Sequence, residues 1–527
     1  MTYTSFSFCI LFVILFLAYF ILPKKFQWAC LLVASYAFYY FAAGASVLFY
    51  LVFTTVSIFL LGLWLGKMND RKNAELKSYD GDDKSVKSAI RKKAKKGKLL
   101  ALLIGLITNF GILAALKYGN FIADNISAVF NTRTLSMDLL LPLGISFYTF
   151  QATGYLVDVY REKFQPDRNI AKFALFVSFF PQIVQGPIGR YDQLADQLYA
   201  RHDFDIRRIK FGLQLILWGL FKKMVIADRI AMMSSYMLNH PHDYQGFEVA
   251  VLILAITFRI YADFSGGIDI SIGIAQILGI NLTQNFERPY FAVSIADHWR
   301  RWHITLGTWF RDYVYYPITL SKPFFAFSSW SRKHLGKQVG RLLPIALGTG
   351  ISFFLVGVWH GAAWKFIAFG LYNSVIIMIG IIFTPLLKNL NERRRMVDTS
   401  KLSWRFFLIF ITFILISIGK LITGAHSLSD AIYLFKSMFA EFNPWIFYDG
   451  TIYELGLTYP DFMLLIAALI VLFVVDLLHE RGIQIREALD TQNLYFRWLI
   501  SILAIFSIII FGVYGSGVAH DFIYQQF

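Results

Sequence analysis

The stretch Val356-Gly357-Val358-Trp359-His360-Gly361-Ala362-Ala363-Trp364 closes one long apolar run and opens another. The run before it, Leu342 to Trp359, carries no charge and is long enough to cross about 30 Å of hydrocarbon as a helix. The run after it, Phe366 to Leu387, is also uncharged and leads back. Two such runs around a short glycine and alanine stretch predict a pair of membrane helices with His360 at their mouth. An ionisable side chain in that place is a candidate functional residue. The plainer role is an anchor that hydrogen-bonds a neighbouring helix. Of the ten histidines, His360 is the one set between two long apolar runs.

The rest of the chain has the same character. Hydrophobic residues make up 57% and charged residues 16%, below the roughly 25% of soluble chains. In lipid the backbone must satisfy its own hydrogen bonds, which leaves helices or closed barrels. Unbroken apolar runs exclude barrel strands, whose residues alternate. The fold class is therefore an all-α polytopic membrane protein. Cys9 and Cys30 lie in apolar spans, with neither the spacing nor the setting of a metal site or disulfide framework. The net charge of +16 is expected in cytoplasmic loops rather than on a nucleic-acid surface. The first run, Ser5 to Pro23, lacks a basic leader and a small-residue cleavage site, and is read as a retained span.

Phe26 to Gly66 is uncharged and long enough for two helices, broken at Ala42-Ala43-Gly44-Ala45. Lys67 to Lys98 carries 12 Lys and Arg against 5 Asp and Glu, and is expected to be a solvated cytoplasmic loop. Counting back places the N-terminus outside. Leu99 to Leu116 is another span. Leu139 to Leu156 is less apolar, so it faces protein or a cavity. Phe173 to Val184 ends in Pro181 to Gly189, whose prolines and glycines predict a broken or re-entrant segment. Phe211 to Asp228 is an apolar helix interrupted by Lys222-Lys223, expected at an interface. Phe247 to Ile280 is expected to hold two helical stretches around Asp263 and Asp269, which must face something polar. Arg393-Arg394-Arg395 is expected inside. Phe406 to Ile422, Phe462 to Leu478 and Leu499 to Gly512 are three more spans, which place the C-terminus outside. No second soluble domain is visible, so residues 1–527 form a single membrane domain.

Ahead of the central span lies Asp297 to Tyr313. Read as one helix, it sets Trp299, His303, Leu306 and Phe310 on one face and Asp297, Arg301, Thr308 and Asp312 on the other. That pattern predicts an amphipathic helix at the interface. His298 and His303, five residues apart, do not make a metal pair on one helical face. Moving an acyl group to a hydroxyl needs a base, and histidine suits that task. Arginines at a cytoplasm-facing surface suit a phosphorylated acyl carrier.

At these residues the sequence resembles the membrane-bound O-acyltransferase (MBOAT) family. The elements are Trp299-Arg300-Arg301-Trp302-His303, Phe310-Arg311-Asp312-Tyr313 and Trp359-His360-Gly361. More narrowly they resemble the bacterial branch of the alginate O-acetylation protein and the D-alanyl lipoteichoic acid transferase. Pro142 to Phe147, Phe180-Pro181-Gln182, Gly186-Pro187-Ile188, Asp263 to Gly266, Asn285 to Tyr290 and Phe522-Ile523-Tyr524 also match. The signature core runs from about Leu139 to Asn373. The resemblance implies a ring of about 11 tilted transmembrane helices, with re-entrant and interfacial helices, around a central funnel. It maps a catalytic histidine onto His360 and the second signature histidine onto His303. After Tyr316-Pro317 the chain reads Ile318 to Pro323 instead of a glycine-rich loop, which leaves the polymer and partner open.

The expected function is O-acyl transfer in a bacterial cell membrane. Acetyl would pass from cytoplasmic acetyl-CoA, a substrate and not a bound cofactor, to an extracellular polysaccharide or cell-wall glycan. An extracytoplasmic acetyltransferase or esterase-like partner is implied by the resemblance. His360 and His303 are the candidate catalytic residues. Arg300, Arg301, Trp302, Trp359, Asp263 and Ser265 are the candidate substrate-binding residues, and no metal is expected. D-alanyl transfer from a carrier protein, and a transporter or flippase using Asp263 and Asp269, are the alternatives.

Overall fold

The computed structural model describes residues 1–132, 140–394, 398–515 and 522, and the side chains of all of these except 386–394. Leu139, Arg395, Ile523 and Tyr524 therefore lie outside the described residues, as do the side chains of Arg393 and Arg394. The described residues are helical almost throughout. Eight of their helices are long and apolar enough to cross a membrane.

The chain divides into two compact units. Unit 1 holds residues 1–213 and 271–283, and unit 2 holds 214–270 and 284–527.

Unit 1 opens with α1 (Phe6–Ile21), α2 (Gln27–Ala43) and α3 (Ala45–Lys77). The break between α2 and α3 falls on Gly44, whose φ of 90° puts it in the left-handed region that favours glycine. The basic segment is not a loop. Helix α3 runs on to Lys77, and α4 (Lys84–Phe130) starts seven residues later. Lys, Ala and Glu are good helix formers. Asp83 caps α4 by accepting from the Ser85 amide at 2.7 Å, which also holds its carboxyl below the usual range. Glu162 ties both extensions together through Lys72 and Lys98.

Helix α5 (Ile145–Tyr160) begins only after Pro142-Leu143-Gly144. Gly144 sits at φ 69°, and a Cβ there would lie 2.0 Å from the Ile183 carbonyl oxygen. The polar residues of α5 face protein: Ser146, Thr149, Gln151 and Thr153 are all buried. Helix α6 (Ile170–Ser178) stops at Phe179, and one short turn, Phe180–Ile183, follows before an irregular stretch that is still buried. This is the broken segment expected from the prolines and glycines. Its backbone is covered by protein, as Tyr3 Oη donating to Phe180 O at 2.9 Å and Gln182 Nε2 donating to Pro187 O at 2.9 Å illustrate.

Unit 2 corrects two expectations. Lys222 and Lys223 are not at an interface. They lie on a π-helical turn, Phe221–Ala227, and are 4% and 2% exposed. Lys223 Nζ meets Asp263 at 2.7 Å and Asp228 at 2.8 Å, and Lys222 Nζ meets Asp269 at 2.8 Å and the Ser265 hydroxyl at 2.8 Å. A buried charge persists only when paired, and here, besides the nearby Asp228, Lys223 finds Asp263 40 residues on and Lys222 finds Asp269 47 residues on. Asp263 and Asp269 sit on α7 (Gly246–Ile277), which is one continuous helix and not two stretches. Gly266 does not break it, because there the Gly219 backbone packs so closely that a Cβ would come within 2.8 Å of its oxygen.

Among the other helices of unit 2 are α8 (Ile295–Arg301), α9 (Ile304–Phe310), α10 (Lys322–His334), α11 (Val339–His360), α12 (Trp364–Arg394), α13 (Leu402–Gly424), α14 (Tyr459–Glu480) and α15 (Leu494–Phe511). Helices α11 and α12 are the pair expected around His360. They approach at Gly357 and Gly370, where a Cβ on Gly357 would lie 2.3 Å from the Gly370 Cα. Small residues let membrane helices meet backbone to backbone. Ser374 Oγ then donates to the Gly350 carbonyl at 2.7 Å across the same seam.

Candidate active site

The segment from Asp297 to Tyr313 is two short helices and not one amphipathic helix. Between α8 and α9 the chain straightens at Trp302, which forms an antiparallel bridge with Phe286. Glu287 N donates to Arg301 O at 2.9 Å, and Ile304 N donates to Asn285 O at 3.0 Å. His303 takes up φ 45° and ψ 54°, left-handed and unusual for a non-glycine residue. Such a conformation persists when its surroundings hold it. The holder is Asn285, which is fully buried. Its Oδ1 accepts from Thr305 N at 3.0 Å and from Thr305 Oγ1 at 2.9 Å. His303 Nδ1 lies 3.1 Å from Asn285 Nδ2 and 3.2 Å from Asn285 Oδ1, and because Thr305 already occupies both lone pairs of Oδ1 we assign Nδ2 as the donor. On that assignment the neutral ring carries its proton on Nε2.

His303 is 1% exposed, with Phe264 of α7 edge-on to its ring at 4.9 Å. Burial first, and the charge of Lys420 second, push its pKa down to about 3. The ring is thus neutral across ordinary pH. His298 is equally buried, but its Nδ1 donates to the Pro289 carbonyl at 3.0 Å and it stacks on Trp302 at 5.5 Å. It props the indole.

A cavity of about 190 Å³ opens beside His303 and Trp302. Its far wall is one face of α11, with Thr349, Ser352, Phe353 and Val356. His360 lies on that same face, one turn past Val356. It is half-buried, with Trp359 at 5.0 Å and Phe369 at 5.6 Å between ring centres. Trp359 also stands 6.0 Å from His303, so its indole links the two imidazoles. Gly361 admits no side chain, since a Cβ would come within 2.4 Å of the Phe366 ring.

At its other end, the same α11 face lines a second cavity of about 370 Å³. Arg332, Lys337 and Arg341 line it, with Tyr315, Thr319 and Ile345 among the others and no acid. Tyr315 belongs to both cavities. Arg341, Ile345, Thr349, Ser352, Val356 and His360 thus form one stripe along about 28 Å of helix.

The candidate substrate-binding residues fall into three groups. Trp302 lines the first cavity and Trp359 bridges the histidines. Arg301 is held by Asp297 at 3.3 Å and Glu480 at 2.9 Å, and the exposed Arg300 by Asp297 at 3.4 Å; neither arginine lines a cavity described here. Asp263 and Ser265 are engaged by Lys223 and Lys222, one helical step to either side of the Phe264 that touches His303. Three features escaped the sequence reading. Asn285 was noticed only as part of a motif. The basic cavity gathers residues from α10, α11 and the turn between them. Lys420 is an ionisable residue inside a span, a signal that could have flagged it.

Comparison with known proteins identifies the family. The model of the MBOAT, membrane-bound O-acyltransferase family, matches residues 166–419. A probable alginate O-acetylase AlgI from Azotobacter vinelandii is 31% identical over 459 residues, 85% of this chain and 80% of the relative. A peptidoglycan O-acetyltransferase from Helicobacter pylori is 30% identical over 367 residues, 65% of each. A teichoic acid D-alanyltransferase from Bacillus subtilis is 28% identical over 256 residues, 46% of this chain and 59% of the relative. With the paired histidine elements, the broken segment and the helical membrane architecture all in one chain, this protein belongs to the membrane-bound O-acyltransferase family.

Proposed function

We propose that the protein passes acetyl from cytoplasmic acetyl-CoA across a bacterial cell membrane onto a hydroxyl of an extracellular polysaccharide or cell-wall glycan. The carrying observation is the stripe on α11 that joins a basic cavity, the His303 cavity and His360. Guanidinium and ammonium groups with no acid among them suit the phosphates of the donor. The apolar walls beside His303 suit its acyl-bearing arm. The positive-inside rule puts Arg332 to Arg341 in the cytoplasm, and α11 then carries the chain toward the opposite face. By the same count both termini lie outside. The partner on that side is an acetyltransferase or esterase-like protein that takes the ester to its polymer.

In this reading His360 takes the proton of the incoming hydroxyl as its oxygen bonds to the acyl carbon. The carbon–sulfur bond then breaks, and the thiolate leaves with that proton. His303, neutral and protonated on Nε2, donates a hydrogen bond to the reacting group. Arg301 is engaged by Glu480 and Asp297, and Arg300 by Asp297, instead of by the donor. Acetyl is favoured over D-alanyl because the alginate-type likeness covers more of the chain. A transporter would need Asp263 and Asp269 free for cargo, and lysines hold both.

The test is His360→Ala in cells that make the esterified glycan. Loss of ester with normal membrane levels of the protein is expected. Unchanged ester refutes the assignment.

A further inference from the structure

Lys420 is 5% exposed on the span α13, and its Nζ sits 3.5 Å from the centre of the Trp302 ring. The other buried lysines of unit 2, Lys222 and Lys223, have carboxylates within 2.8 Å. Lys420 has neither a carboxylate nor a hydrogen-bond acceptor on its ammonium among the described residues. One indole face offsets only part of the cost of burying an ammonium. Three N–H donors of a nearly buried side chain are thus held against a residue that lines the His303 cavity.

The surroundings tie this cation to both histidines. Trp302 precedes His303 in the chain, and the charge on Lys420 weighs on the basicity of His303 and His298 alike. Next to it, Gly419 packs against Phe369 and Tyr372, and Phe369 is the ring that stands edge-on to His360. Nothing in packing calls for an ammonium here, because methionine fills nearly the same volume. A desolvated cation beside a reacting group is worth most where negative charge appears during the reaction.

We propose that Lys420 is the cation facing the oxyanion of acyl transfer, a role that rests on the acyl-transfer reading above. As the hydroxyl oxygen bonds to the acyl carbon and its proton passes to His360, the carbonyl electron pair moves onto oxygen opposite the ammonium. When that pair returns, the carbon–sulfur bond breaks and the thiolate takes the proton from His360. Lys420 keeps its own protons throughout.

The experiment uses the full-length chain in membrane vesicles from cells that also make its extracytoplasmic partner, with acetyl-CoA as donor and alginate or peptidoglycan oligosaccharides as acceptors. Lys420→Met is expected to lower kcat by about 100-fold or more, with the donor KM unchanged and normal accumulation. Lys420→Arg keeps a cation on the indole and should recover at least about tenfold of that loss. The proposal is overturned if the Met variant keeps its kcat. It is overturned equally if the loss lies only in the acceptor KM, which would mark a carboxylate-binding role. A Met variant that fails to accumulate while the Arg variant behaves normally assigns the charge to the fold and also overturns it. A wild-type chain that transfers no acetyl refutes the parent reading instead.

Discussion

Replacing Asn285 by Asp changes one group in a fully buried side chain and reverses what that side chain offers to His303. The native amide donates from Nδ2 to Nδ1 at 3.1 Å while its oxygen serves Thr305 twice. An aspartate keeps the volume and keeps an acceptor for Thr305, but its second oxygen needs a donor. His303 can supply one only by carrying its proton on Nδ1, which leaves Nε2 bare. Asn285→Ala would be a poorer probe. It would strip three buried hydrogen bonds at about 1 to 3 kcal/mol each, and a loss of fold would hide the chemistry.

The magnitude follows from the role of one preorganised donor. Losing such a donor costs about 3 to 4 kcal/mol, or 100- to 1,000-fold in kcat. The variant also has a pH signature. The new carboxylate raises the depressed pKa of His303, about 3 in the native protein, by roughly 1 to 3 units. Below that raised value the ring is doubly protonated and Nε2–H returns. The ratio of variant to wild-type rate should therefore climb as pH falls through about 5, and rates compared at matched amounts of folded protein keep this apart from the stability cost of burying a carboxylate. The assay is acetyl transfer by both proteins at matched levels from pH 8 to pH 5. A variant with wild-type turnover at neutral pH, or a ratio flat with pH, refutes the assigned tautomer and the role built on it.

Reversing the charge of the basic cavity with Arg332→Glu and Arg341→Glu should raise the donor KM about tenfold or more with little change in kcat, measured against acetyl-CoA concentration. Gly357→Val pushes a side chain into Gly370 and should destabilise the α11–α12 pair by about 1 to 3 kcal/mol, read as a lower melting temperature in detergent. Lys223→Met removes the ammonium shared by Asp228 and Asp263 and should cost about 3 to 5 kcal/mol, seen as poor accumulation in the membrane. His298 and His303 stay neutral in the fold down to about pH 3. They protonate near 6.5 when unfolded. The sign makes stability independent of them above about pH 6.5. Below it stability falls by about 1.4 kcal/mol per pH unit for each ring, and His298→Gln should flatten the melting-temperature profile between pH 6 and 4.

The helix pair around His360 was legible because its information is local. Two uncharged runs and a glycine break need no distant partner to be read, and the same holds for Gly44 between α2 and α3. The basic segment from Lys67 to Lys98 misled for the opposite reason. Charge density marks a cytoplasmic location, yet it says nothing against helix, and Glu162 from far along the chain steadies both helical extensions. From sequence, Lys222 and Lys223 predict an interface because a pair of charges in an apolar run reads as its end. Asp228 is close enough in the chain to pair with Lys223 locally, but Asp263 and Asp269 lie on α7, 40 residues from Lys223 in the case of Asp263, and no local window contains those two.

The site shows the same division between near and far. The spacing of Trp299, His303, Leu306 and Phe310 fits one helix, and it would fit equally whether or not the helix broke at Trp302. What breaks it is the strand-like pairing with residues 285–287, and the left-handed turn at His303 is held by an amide 18 positions earlier. That separation carries a mechanistic consequence. A histidine placed by its own helix could rotate with that helix. One placed by a second segment has its ring nitrogen, its backbone angle and its burial set together by Asn285. The residue that the sequence marks as the second signature histidine therefore owes its proton position to Asn285, which the sequence marks only as the first residue of a flanking motif. A substitution at Asn285 should reach the chemistry without touching either imidazole.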